Sequence, residues 1–109
     1  MEERRKTKRF ATNLKAQYFL KERKEGRECT VINISRSGVG LEFYTAEEVV
    51  AGSTLLIKIS TAKSLETTEV EGIVKWVTHG EKDFVSGIEA TSQLDEERLA
   101  SLIALTLGL

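Results

Sequence analysis

The stretch Leu14-Lys15-Ala16-Gln17-Tyr18-Phe19-Leu20-Lys21 decides how the chain folds. Leu14, Ala16, Tyr18 and Leu20 fall on one parity, and Lys15, Gln17, Phe19 and Lys21 on the other. A period of two is that of a strand with one face in a core and one in water. The rhythm then returns five times. After the turn Lys24-Glu25-Gly26, Cys29, Val31 and Asn33 alternate with Thr30, Ile32 and Ile34. Val39, Leu41 and Phe43 alternate with Gly40, Glu42 and Tyr44, and Gly52 precedes Leu55, Ile57 and Ile59. Val70, Gly72, Val74 and Trp76 share a parity opposite Glu71, Ile73, Lys75 and Val77. The turn His79-Gly80-Glu81 leads into Phe84, Ser86, Ile88 and Ala90. Six such strands predict an all-β, antiparallel barrel, because closure leaves no unpaired sheet edge.

At the end of the chain the period changes. Ser92-Gln93-Leu94-Asp95 resembles a helix start, with Glu96 and Glu97 where the helix dipole favours anions. Leu99, Leu102, Ile103 and Thr106 form an i, i+3, i+4, i+7 stripe that ends at Gly108. This predicts a C-terminal amphipathic α-helix docked on the barrel, with Leu105 and Leu107 widening its apolar face for a partner. The 109 residues suit one domain, and no proline or glycine-rich linker divides them. The expected organisation is a flexible basic arm over 1–10, a barrel over 11–91 and a helix over 92–109.

With 40% apolar and 30% charged residues, the composition is that of a soluble globular chain. No apolar run approaches the ~20 residues that span a bilayer, so membrane insertion is not expected. The charged start Met1-Glu2-Glu3-Arg4-Arg5-Lys6 is unlike a secretory signal, which points to the cytoplasm. Catalysis has little to work with. His79 is the only histidine and sits in a turn; Cys29 is the only cysteine and sits in a strand, which excludes an internal disulfide. No metal cluster, nucleophile elbow or phosphate loop is present in the sequence, so the chain reads as a binder and not an enzyme.

Two constellations carry the binding argument. Net charge is only −1, yet five of the first nine residues are basic: Arg4, Arg5, Lys6, Lys8 and Arg9. Arg5 and Arg9 form an R-x-x-x-R pair that shares a face in either a helix or a strand. Guanidinium forks suit phosphate oxygens and the O6/N7 edge of guanine. The second constellation is Asn33-Ile34-Ser35-Arg36-Ser37-Gly38, an N-x-S-x-x-G between two strands. It reads as a turn in which Gly38 supplies a positive φ, with Asn33 and Ser35 presenting short polar groups at a barrel rim.

Taken together, in this order and at this separation, the two motifs resemble the PilZ domain, the bacterial receptor for cyclic di-GMP. Gly38-Val39-Gly40-Leu41, Gly52, Val74-Lys75-Trp76 and Gly87-Ile88-Glu89 extend the resemblance over nearly the whole chain. It implies a six-stranded PilZ-type barrel. Arg5 and Arg9 are implied to grip guanine edges and phosphates, Asn33 and Ser35 to bond the base and backbone of the ligand, and Gly38 to shape the turn. Trp76 is implied to lie near the nucleotide, where an indole can stack, and Arg36 to offer a phosphate contact. The residue before the arginine pair helps to set stoichiometry in the family. Arg4 at that position implies two ligand molecules per chain. No cofactor or metal is implied beyond the ligand itself.

The output is expected to pass to a downstream protein partner that the sequence does not name, with a homodimer also compatible. Other classes remain open at this level: a small barrel that binds nucleic acid, or a PilZ-like adaptor that binds only protein. A pI of about 5.9 and the lack of a basic-aromatic platform speak against nucleic acid.

Overall fold

The alternating stretches become strands whose apolar parity faces a common interior. The computed structural model describes residues 8–21, 23–44, 49–60 and 67–107. The strands are β1 (Phe10–Leu20), β2 (Arg27–Ser35), β3 (Gly38–Phe43), β4 (Thr54–Ser60), β5 (Thr67–His79) and β6 (Phe84–Ala90). They close in the order β1-β2-β3-β6-β5-β4, and every pairing is antiparallel. Leu14, Ala16 and Tyr18 meet Cys29, Val31, Leu41, Phe43, Leu55, Ile57, Ile59, Val70 and Val74 inside. Burying each large aliphatic side chain contributes about 1.5–3 kcal/mol, so this interior is the main source of stability. Phe43 sits between Tyr18 and Phe84, with ring centroids 5.3 and 5.9 Å away.

Helix α1 (Glu96–Thr106) lies against β1. It begins later than its sequence signal. Asp95, not Ser92, is the N-cap, and its carboxylate accepts a 2.7 Å bond from the Arg98 amide. The reason is Leu94, which is buried and donates its amide to the Arg36 carbonyl, holding the preceding segment out of the helix. Leu94 and Leu99 both enter the core, at the two positions of a hydrophobic staple. Leu99 and Leu102 are buried, Ile103 and Leu105 partly so, and Leu107 is exposed; Gly108 lies outside the described residues. No helix among the described residues is long and apolar enough to cross a membrane.

Two expectations about parity fail, for one reason. β2 carries a register shift between Val31 and Asn33, and β5 one between Val74 and Trp76. One extra residue at each place, Ile32 and Lys75, reverses which side chains face inward. Asn33 therefore leaves the face of Cys29 and Val31, and Ile34 enters the core. Trp76 leaves the face of Val70 and Val74 and is 46% exposed, while Val77 packs against the core in its place.

Candidate functional site

The two bulges put Asn33 and Trp76 on the outside of the barrel, at the ends of one lateral row. Asn33 pairs with Gly40, Gly40 with Gly87, and Gly87 with Trp76, so the row crosses β2, β3, β6 and β5. Its two middle positions have no side chain, and the flanking groups lean over them. A Cβ on Gly40 would lie 2.6 Å from the Asn33 amide nitrogen, and one on Gly87 2.4 Å from the indole nitrogen of Trp76. The two glycines are thus buried beneath the amide and the indole, which lie close over the sheet and leave the half-exposed indole as a surface for a planar ligand. Bulges leave ladder groups unpaired, and here hydroxyls satisfy them. Ser86 donates to the Trp76 carbonyl at 2.9 Å, and Thr12 to the Val31 carbonyl at 2.7 Å.

Arg9 reaches this face from the residue before β1. Its guanidinium, which is exposed, donates to the Asn33 side-chain oxygen at 3.0 Å and carries further N–H donors. Phe10 already pairs with Ile34, so the barrel begins one residue inside the stretch expected to be an arm. A cleft of about 150 Å³ is lined by Arg9, Ser37, Gly38, Lys75, Trp76, Gly87, Ile88 and Glu89. Lys75 and Glu89 face each other across it, Nζ to Oε1, at 3.6 Å. Two larger hollows, about 430 and 490 Å³, lie elsewhere on the barrel and bring together neither motif.

The other sequence-derived candidates fall in different places. Ser35 is 1% exposed and does not stand at the rim. Its hydroxyl accepts from the Ser37 amide at 3.2 Å and shares a bond with the Ser37 hydroxyl at 3.1 Å, closing the β2–β3 turn. Gly38 lines the cleft, but its φ is not positive; Gly52 alone among the described residues has that conformation. What demands glycine at 38 is space, since a Cβ there would sit 2.0 Å from the Ile88 carbonyl oxygen. Arg36 is exposed in the turn, outside the cleft lining, and its carbonyl anchors Leu94. Arg4 and Arg5 lie outside the described residues. Ser37, Lys75, Gly87 and Glu89 are not among the sequence-derived candidates, although Lys75, Gly87 and Glu89 belong to segments that carry the resemblance.

Neither of the two groups most capable of nucleophilic or acid–base work lies at this face. Cys29 is buried, and burial pushes its thiol up to about 12, so it is inert at neutral pH. His79 sets its ring edge-on against Phe84 at 4.7 Å. Among the described residues no group of three or more His, Cys, Asp or Glu could hold a metal.

The comparisons with known proteins agree with this fold. The PilZ domain family profile matches residues 3–108. Among curated proteins, none matches the chain. The solved structures share its fold at low identity. The PilZ domain of YcgR from Escherichia coli, solved with c-di-GMP, has a TM-score of 0.70 at 13% identity, covering 98% of this chain and 92% of that one. The Bacillus subtilis inhibitor of motility, MotI/DgrA, has a TM-score of 0.71 at 18% identity over 95% of this chain; this chain spans 50% of its length. The PilZ domain of CeSA from a cellulose-synthesizing bacterium has a TM-score of 0.61 at 12% identity, covering 93% and 96%.

Proposed function

Because the chain belongs to the PilZ domain family, we propose that it is a bacterial cyclic di-GMP receptor that passes ligand binding on to a partner protein. The observation that carries this reading is the convergence of Arg9, Asn33 and Trp76 on the glycine row Gly40–Gly87, over which the amide and the indole lie. Each group has a task that a cyclic dinucleotide needs. Arg9 offers a charged fork to a phosphate or to the O6/N7 edge of guanine. Asn33 holds that fork in place and adds amide donors of its own. Trp76 offers an indole face for stacking, and the glycine row lets that indole lie close against the sheet.

Arg5 completes the R-x-x-x-R pair with Arg9, and Ser35 and Gly38 shape the turn between Asn33 and the cleft. Arg4 brings a third guanidinium. A stacked pair of ligands carries four phosphate charges, which need extra cations held close, so we read the complex as two molecules per chain. Arg36, exposed at the same turn, is a further phosphate contact on this reading. The chain acts as a binder, not an enzyme, and works in the cytoplasm, where a free buried thiol such as Cys29 is ordinary.

Calorimetric titration of the whole chain with cyclic di-GMP tests this. Arg9→Ala is expected to weaken binding roughly ten- to hundredfold, the worth of one charged hydrogen-bond set, with Arg9→Lys in between. Arg4→Leu is expected to move the endpoint from two ligands toward one. Wild-type affinity in Arg9→Ala, or tighter binding of single-stranded RNA than of cyclic di-GMP, overturns the reading.

A further inference from the structure

One pair of charges in the cleft has no task in the reading above. Glu89 stands two residues beyond Gly87 on β6, on the same outward parity, and is in register with Gly38. Lys75 is the extra residue of the β5 bulge, and its ammonium lies 3.6 Å from the Glu89 carboxylate. Both side chains are more than half exposed, at 56% and 60%, so neither is needed for the barrel. A carboxylate is a poor lining for a site that takes a dianion, because it repels phosphate at short range. It is a good lining for one edge of one base.

Guanine presents N1–H and N2–H₂ side by side, two parallel donors at the spacing of the two oxygens of a carboxylate. Adenine presents at that edge an unprotonated N1 and a carbon-bound hydrogen. A carboxylate therefore meets two donors in one case and an opposing lone pair in the other. Arginine reads the opposite, O6/N7 edge, so a base held by Arg9 is free to offer its N1/N2 edge elsewhere. Gly87, under the indole, and Glu89 stand two positions apart on the strand, a distance of roughly 7 Å that a purine spans. Lys75 cancels the charge of Glu89 towards the phosphates while leaving the carboxylate its remaining lone pairs.

Resting on the cyclic di-GMP reading, we propose that Glu89 selects guanine over adenine in this cleft, with Lys75 as the residue that positions its carboxylate. A site built to accept hydrogen bonds discriminates strongly against an analogue that lacks the donors.

The test is the ratio of affinities for cyclic di-GMP and cyclic di-AMP, measured by titration of the full chain. In Glu89→Gln, cyclic di-GMP is expected to bind at least about tenfold more weakly, cyclic di-AMP unchanged or more tightly, and the ratio to contract. Lys75→Met is expected to contract the ratio less, and Lys75→Arg to restore it; a role in packing alone moves neither. Melting temperatures of the variants should stay at the wild-type value. If Glu89→Gln tightens both dinucleotides equally, or leaves the ratio unchanged while Arg9→Ala still loses cyclic di-GMP, this inference is overturned and the receptor reading stands. If the wild-type chain binds neither dinucleotide, both fall.

Discussion

The barrel has a regular side and an irregular side. Around β1–β4 and β4–β5 the pairings run without interruption, as they do in the β3–β6 seam at the centre of the opposite side. Register shifts occur in β1–β2, β2–β3 and β5–β6, and all three flank the row from Asn33 to Trp76. The regular side carries ordinary surface chemistry: Lys58 lies 3.8 Å from Glu69 on the next strand and 5.1 Å from the Phe19 ring centroid. The irregular side has glycines covered by an amide and an indole, an outward-turned tryptophan and an arginine fastened to that amide. A bulge re-aims a side chain at the cost of ladder hydrogen bonds, and here two hydroxyls offset that cost.

The sharpest way to break the contrast is at Gly38. Its missing Cβ space is occupied by a backbone carbonyl of β6, which cannot move without parting the β3–β6 seam. Gly38→Val is expected to cost about 3 kcal/mol or more, read as a fall in denaturant midpoint. Trp76→Ala comes next. It should leave the fold intact, since the indole is half exposed, and weaken cyclic di-GMP by about 1–3 kcal/mol, the worth of one stacked base, in the same titration. Unchanged affinity would reduce Trp76 to a cover for Gly87.

Gly40→Ala sharpens the comparison with Gly38. The obstacle there is the end of the Asn33 side chain, which can swing aside. Stability should therefore change by less than about 1 kcal/mol while affinity falls a few-fold, because Asn33 no longer steadies Arg9. On the regular side, Lys58→Ala removes a surface ion pair and should shift stability by at most about 0.5 kcal/mol, with the binding isotherm superimposable on that of wild type.

That contrast also separates what is legible in the sequence from what is not. The strands are legible because each keeps one apolar parity over most of its length, as Leu55, Ile57 and Ile59 do throughout β4. The bulges are not, because Ile32 and Lys75 are unremarkable strand residues and nothing local marks them as extra. Asn33 and Trp76 stand out in the sequence by motif and residue type, yet strict alternation puts them on the parity of the core residues Val31 and Val74. Ser35 was legible as part of the turn, while its burial depends on the β2–β3 closure. Lys75 and Glu89 join the cleft only through the pairing of β5 with β6, a neighbour relation that no single stretch contains.

The lateral row has a consequence for how the protein comes to be. Asn33 and Gly40 face each other within the β2–β3 hairpin, and Gly87 and Trp76 within the β5–β6 hairpin. The two halves meet only at the seam of β3 and β6, where Phe43 pairs with Phe84 across 41 residues of chain. Closing so long a loop is an entropic cost met late, and topologies dominated by such pairings fold slowly. A nascent or partly folded chain can thus own both hairpins and still lack the platform. On the receptor reading, ligand affinity is accordingly a reporter of barrel closure, since the row from Asn33 to Trp76 exists only where the distant β3–β6 pairing has formed.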